Sequence, residues 1–262
     1  MAFFEIVAHR GVTTEAPENT FQAFQQAIES GADAIEFDVR LTSDGIPVIY
    51  HYFYLEEITN TSGPIFSFSF NQLQNVKYLR RNHQNINKPR ILTLDEVLEA
   101  FGGRIGLEIE IKGPEPESSE IVGDVLNRFK HLWEKIEVTS YEPLLLIAIQ
   151  KYCPGIVTNL LFPLPEYWMK ADVITYLAIH RARLAQTRAI HLHPTQLSPK
   201  VVSEIRKHGI EIHSWDINDK KSLKTIFELK IPRICTDNLQ EAINFRQVRL
   251  KFHNNKKNTY QL

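Results

Sequence analysis

Ile105-Gly-Leu-Glu-Ile-Glu-Ile, residues 105–111, is a β-type run that ends just before a helical stretch at 117–131. A strand followed directly by a helix is the pattern of a parallel β-α unit. Outward from this run the same order recurs. Candidate strands fall at 5–9, 34–39, 105–111, 135–139, 156–161, 188–192, 211–216 and 232–236. Candidate helices fall at 19–30, 93–101, 117–131, 142–152, 172–186, 198–208, 218–229 and 239–249. Asn19-Thr20, Thr93 with Glu96, Ser198-Pro199 and Asn218-Asp219 supply helix-start oxygens. Eight strands and eight helices suggest a (β/α)8 TIM barrel. On pattern alone an open, doubly wound sheet is the alternative.

Two segments break the alternation. Residues 40–51 are too few for a crossover helix, and Asp44-Gly45 reads as the centre of a hairpin turn. A two-residue turn would pair Ser43 with Ile46, Arg40 with Ile49 and Asp38 with His51, if no bulge intervenes. Residues 52–91 have no clear order and read as an insertion after this hairpin. Within it Phe66, Phe68 and Phe70 alternate with serines, as a small core of the insertion's own or as an apolar lip for an acyl chain. The expectation is one barrel domain over 1–262, carrying that insertion and a flexible basic tail at 250–262.

The 262-residue chain is 43% hydrophobic and 23% charged, which excludes a disordered or fibrous protein and suffices for a full core. A formal net charge of −1 gives no global field toward nucleic acid or anionic membrane, and neither is expected as a partner. Cys153 and Cys235 form no metal or redox pattern and fit a reducing compartment. Glu5 interrupts the start before any signal-length apolar stretch, and the longest apolar run, 144–149, is far short of the roughly 20 residues that cross a bilayer. A cytoplasmic protein without stable membrane insertion is expected.

Three polar clusters fall at the carboxyl ends of candidate strands, where barrel enzymes keep their active sites. His9-Arg10-Gly11 joins a histidine to an arginine that can bind two phosphate oxygens at once. Glu36 and Asp38 share a strand face inside an apolar run. Two carboxylates about 4 Å apart repel by about 4 kcal/mol at an effective dielectric of about 20, so they need a cation, a shared proton or a basic neighbour. Glu108, Glu110 and Lys112 share the face of a third strand, as a metal-and-phosphate ladder or as a simple Glu110–Lys112 ion pair. All-oxygen ligands favour Mg²⁺ or Ca²⁺ over zinc, and two histidines near a phosphate suit general acid and base roles. His191 and His193 share a strand face, as a metal pair or as pocket or core residues, while His180 and His213 show no partner signal.

Several ordered motifs then match one family. They are Ala8-His-Arg-Gly, Ala16-Pro-Glu-Asn-Thr, Gly31-Ala-Asp-Ala-Ile-Glu-Phe-Asp-Val and Thr42-Ser-Asp-Gly-Ile-Pro-Val-Ile-Tyr-His. Leu94-Asp-Glu-Val-Leu, Ile109-Glu-Ile-Lys, Trp215-Asp-Ile-Asn and Ile234-Cys-Thr-Asp follow. On these the chain resembles the glycerophosphodiester phosphodiesterase family over residues 5–245, least at 52–91 and 160–190. The resemblance implies the barrel, with a small insertion where 52–91 falls. It implies Glu36, Asp38 and Glu110 as ligands of a divalent cation, Mg²⁺ or Ca²⁺. It implies His9 and His51 as the acid–base pair, Arg10 and Lys112 as contacts to the phosphodiester, and Trp215 as a residue near the substrate, with barrel packing as the alternative. Helix capping accounts for Asn19, and neither it nor Glu18 is assigned as a ligand.

The implied activity is metal-dependent hydrolysis of a small-molecule glycerophosphodiester to glycerol 3-phosphate and an alcohol, in lipid metabolism. Alternatives are a lysophospholipase D or sphingomyelinase D-like phosphodiesterase and a catalytically weakened phosphodiester-binding module. The chain departs from the family at Tyr52, where Asp usually follows the second histidine, and at Glu57, where Arg is usual.

Overall fold

The structure is a computed structural model that describes residues 4–79 and 89–259. Its strands are β1 (Glu5–His9), β2 (Ala34–Leu41), β3 (Pro47–Ile49), β4 (Gly106–Ile111), β5 (Ile136–Ser140), β6 (Val157–Leu161), β7 (Ala189–Leu192), β8 (Glu211–Ser214) and β9 (Arg233–Thr236). Its α-helices are α1 (Phe21–Ser30), α2 (Phe70–Leu73), α3 (Leu94–Phe101), α4 (Ser118–Arg128), α5 (Pro143–Tyr152), α6 (Ala171–Leu184), α7 (Pro199–Lys207), α8 (Lys220–Glu228) and α9 (Leu239–Thr259). All strands but β3 pair in parallel in the order β1-β9-β8-β7-β6-β5-β4-β2, and a β1–β2 pairing closes the ring. The fold is therefore a (β/α)8 barrel, and the open sheet is excluded.

The strands present apolar residues outward and polar ones inward. Ile35, Phe37 and Val39 of β2 and Leu107, Ile109 and Ile111 of β4 are fully buried in the layer beneath the helices. Glu36, Asp38, Glu108 and Glu110 occupy the alternate positions and are also buried. Glu108 on β4 touches His191 of β7 and Arg233 of β9, contacts that only the barrel interior allows.

Four helices start where N-cap oxygens are expected. Thr20, Thr93, Ser198 and Asp219 accept from the first-turn N–H groups of α1, α3, α7 and α8. Thr93 and Glu96 form a reciprocal capping box.

The hairpin differs from its expected register by one residue. Its turn has three central residues, closed by the Thr42 N–H to Ile46 carbonyl bond at 3.1 Å, with Gly45 left-handed at φ +75°. Val39 therefore faces Ile49 and Arg40 faces Val48, and Asp38 lies opposite Tyr50, whose N–H donates to its carbonyl at 2.9 Å. His51 is not the partner of Asp38. β3 also takes over the edge of β2 where β1 ends, since β1 pairs with Ala34–Glu36 and β3 with Val39–Leu41.

The insertion has its own small core, but it is not the alternating phenylalanines that fill it. Leu55, Ile65, Leu73, Val76, Tyr78 and Ile91 pack on Val48 and Tyr50 of the hairpin, Phe68 and Phe70 flank them, and Phe66 is exposed. The stretch is a 3₁₀ turn (Ile65–Ser67) leading into α2 rather than a strand, so a period of two does not hold there. Residues 80–88 of the expected insertion lie outside the described residues. At the other end α9 keeps the backbone helical through Thr259, over most of the stretch expected to be a flexible tail; residues 260–262 lie outside the described residues.

Candidate active site

Strand register assembles the site. His9 ends β1 opposite Glu36 of β2, and Asp38 of β2 lies opposite Glu110 of β4. Glu36, Asp38 and Glu110 each offer an oxygen within 4.8 Å of those of the other two. Lys112, just past β4, sets its Nζ 3.0 Å from Asp38 Oδ1 and 2.8 Å from Glu110 Oε1. Arg10, held left-handed at φ +55°, brings Nε to 3.3 Å from Asp38 Oδ2 and donates from Nη1 to Glu18 Oε1 at 3.0 Å.

Electrostatics divide the three carboxylates. Burial alone would raise Asp38, but Lys112, Arg10 and His51 and a 2.8 Å hydrogen bond from Asn19 hold it well below the usual carboxylate range. Burial pushes Glu36 up to about 8, and the charge of Asp38 adds to it. Burial likewise raises Glu110 to about 7, against the pull of Lys112. Lys112 and Arg10 do not suffice to ionise all three members of this buried, all-oxygen trio, and it fits a hard divalent cation of the Mg²⁺ or Ca²⁺ type.

The two histidines sit in opposite environments. Burial opposes charge on His9, but a 2.6 Å contact from its Nδ1 to Asp237 Oδ1 and the charge of Glu36 outweigh it and raise its pKa to about 9. Burial lowers His51, Asp38 partly offsets this, and Lys112, Arg10 and His9 push it further, to about 3. Its buried Nδ1 has no hydrogen-bond partner among the described residues. Although His51 misses the expected pairing, it reaches the same cluster from the chain leaving β3.

The glycerophosphoryl diester phosphodiesterase family profile matches residues 9–241. The chain belongs to that family. A glycerophosphodiester phosphodiesterase of Caldanaerobacter subterraneus subsp. tengcongensis is 28% identical over 244 residues, which cover 91% of this chain and 96% of the relative. One from Bacillus altitudinis is 28% identical over 254 residues, covering 93% and 98%. Among solved structures, a phosphodiesterase of Oleispira antarctica in complex with the product sn-glycerol-3-phosphate superposes with a TM-score of 0.80 at 25% identity, over 92% of this chain and 96% of that one. The enzyme class is phosphoric diester hydrolase.

Seven of the expected site residues thus converge: His9, Arg10, Glu36, Asp38, His51, Glu110 and Lys112. Trp215 makes no polar contact with these seven among the described residues. It packs on Val7, Ala34 and Cys235 inside the barrel, its ring lies 5.0 Å from that of His193, and its buried indole N–H meets no acceptor among the described residues. It follows β8 at the carboxyl end of the barrel and is partly buried, which fits both a place near the substrate and barrel packing.

Three residues were missed or misread in the sequence. Asp237, at the end of the Ile234-Cys-Thr-Asp motif, is the partner of His9 and is itself held by Asn218 Nδ2 at 2.8 Å. Asn19 is not the helix cap, since Thr20 caps α1; Asn19 is buried at φ +58° with its amide on Asp38. Glu18 braces Arg10 and accepts from the Tyr52 hydroxyl at 3.4 Å. His191 and His193 do not form a pair. His193 contacts Thr195 and Asp216 beyond the strand, and His191 faces His213 inside the barrel.

Proposed function

We propose that the enzyme hydrolyses glycerophosphodiesters to glycerol 3-phosphate and an alcohol, with a divalent cation bound by Glu36, Asp38 and Glu110. The single observation that carries this reading is the convergence of His9, His51, Arg10 and Lys112 on a buried trio of carboxylates. When bound, the ion supplies positive charge for the phosphoryl oxygens. Arg10 and Lys112 orient and neutralise the same oxygens. His51, neutral and with Nδ1 unengaged, accepts the proton of the nucleophile, which is water or a neighbouring substrate hydroxyl. As the new P–O bond forms and the old one breaks, His9 gives its Nε2 proton to the leaving alcohol. Asp237 keeps His9 charged and oriented for that transfer.

This role belongs to lipid metabolism, and two buried free cysteines fit a reducing cytoplasm. No helix among the described residues is long and apolar enough to cross a membrane. The test is release of glycerol 3-phosphate from a panel of diesters with Mg²⁺, Ca²⁺ or chelator. His9→Ala and His51→Ala should each lower kcat by about 10²–10⁴-fold with KM little changed. Full turnover in excess chelator, with no retained ion by metal analysis, would remove the metal from this reading.

A further inference from the structure

A second polar cluster fills the barrel below the carboxylate trio, toward the amino ends of the strands, and the phosphodiesterase chemistry uses none of it. His191 of β7 and His213 of β8 are register partners, each about 1% exposed. His191 Nε2 and His213 Nδ1 face each other at 3.1 Å. Their other nitrogens turn onto carboxylates, His213 Nε2 to Glu211 Oε1 at 2.9 Å and His191 Nδ1 toward Glu108 Oε1 at 3.5 Å. In the tautomers that carry their protons on those outward nitrogens, the two inner nitrogens present lone pairs to the same space. Their separation is close to the roughly 3.3 Å between two nitrogens bound tetrahedrally to one zinc ion at about 2.05 Å.

Glu137 of β5 offers a third ligand atom, within 4.8 Å of one on each histidine. It is held in place by Asn159 Nδ2 at 2.7 Å and Arg188 Nη2 at 2.6 Å. His213 and Glu137 therefore have outer partners of the kind that orient metal ligands, whereas the Nδ1 of His191 has only Glu108 nearby, with no hydrogen bond. The charges agree. Glu5, Glu108, Glu137 and Glu211 stand around the cluster with Arg188 and Arg233, so carboxyl groups outnumber guanidiniums there. Glu137 and His213 also line an open cavity of about 740 Å³ at this end of the barrel, which provides an entry path and room for a water ligand.

We infer that Glu137, His191 and His213 form a transition-metal site, suited to Zn²⁺, at the amino-terminal end of the barrel. It ties β5, β7 and β8 together and is separate from the carboxylate trio. Two imidazoles and a carboxylate with an open position form a recognised zinc donor set, whereas the trio offers only oxygen.

The test titrates chelator-stripped protein with Co²⁺, a spectroscopic substitute for Zn²⁺. One equivalent should produce the strong visible absorption of a four-coordinate site with nitrogen ligands. Zn²⁺ should displace it, and excess Mg²⁺ or Ca²⁺ should not. Zn²⁺ at about a hundredfold its Kd should raise Tm by about 5–10 °C. Glu36→Gln, in the carboxylate trio, should leave the spectrum intact, and His213→Asn should abolish it. His213 is buried and its loss can disturb folding, so Glu211→Gln, a change at a half-exposed partner, supplies the second arm: it should weaken binding about 10–100-fold in a protein that still folds. A weak, oxygen-type spectrum overturns the proposal, as does one lost in Glu36→Gln but unchanged in Glu211→Gln. Either result would leave the two histidines as a proton-sharing pair in the barrel interior.

Discussion

His9 and His51 are one residue type placed in opposite electrostatic environments by their neighbours. His9 ends β1 against Asp237 and Glu36, and its pKa rises to about 9. A histidine whose folded pKa exceeds its ordinary 6.5 adds stability that is fully present below 6.5 and is lost as pH rises through about 9. Asp237→Asn should therefore destabilise the metal-free protein at pH 6 and leave it nearly unchanged at pH 10, by urea unfolding at both. The His9 imidazole should titrate at lower pH in the variant by NMR; an unmoved titration would mean that Asp237 is not what charges it.

Tyr52 is the family departure closest to His51. Its ring stands edge-on to His51, with centroids 4.7 Å apart, and its hydroxyl goes to Glu18, so it gives the imidazole no hydrogen bond. Tyr52→Asp restores a carboxylate there and should raise kcat on small soluble diesters about 10-fold or more, with metal affinity retained. If the variant is slower on small diesters and on lysolipids alike, Tyr52 is instead an adaptive contact, together with exposed Phe53 and Tyr54, to a larger head group.

At the scale of elements, the hairpin and the capped helices show how local chemistry sets position. Asp44 stabilises the turn by accepting from Thr42 Oγ1 at 2.6 Å and also reaches across to the Phe70 N–H at 3.0 Å, which links the turn to the insertion. The extra residue in that turn shifts every pairing by one, because a strand's side-chain period is two. The capping box of α3 admits a cleaner test. Thr93→Ala removes an acceptor for the Glu96 N–H and should cost about 1 kcal/mol. In a chain of this size that lowers Tm by about 2–4 °C with kcat unchanged. A loss several times larger would show that the Glu96–Arg90 pair depends on the same cap.

For the whole molecule, the barrel concentrates negative charge on its axis and leaves it to be balanced there. Metal-free, Glu36 and Glu110 keep protons that the unfolded chain sheds near pH 4.5, so the contribution of these two groups to the stability of the metal-free protein falls as pH rises from about 4.5 to about 8. A cation must displace those protons. Mg²⁺ affinity should therefore rise about 10-fold or more between pH 6 and pH 8, with proton release visible by calorimetry in buffers of different ionisation enthalpy. A pH-independent Kd would show that the carboxylates are already ionised.

The β-α alternation, the helix starts and the strand-end clusters were legible in the residues, because periodicity and capping are local. Eight parallel strands fall at the expected places, and the Glu36/Asp38 and Glu110/Lys112 faces follow from the two-residue period alone. Closure of the ring was not legible, since the β1–β2 pairing is a choice between barrel and open sheet that no single element encodes. Nor were the long-range partners. Asp237 is 228 residues from His9, Asn19 acts on Asp38 instead of capping its helix, and His191 finds His213 rather than His193. Each of those contacts depends on which strand lies beside which and on how far each chain runs past its strand. Only the closed tertiary structure decides that, because hydrogen-bond and charge partners are chosen by distance in space and not along the chain.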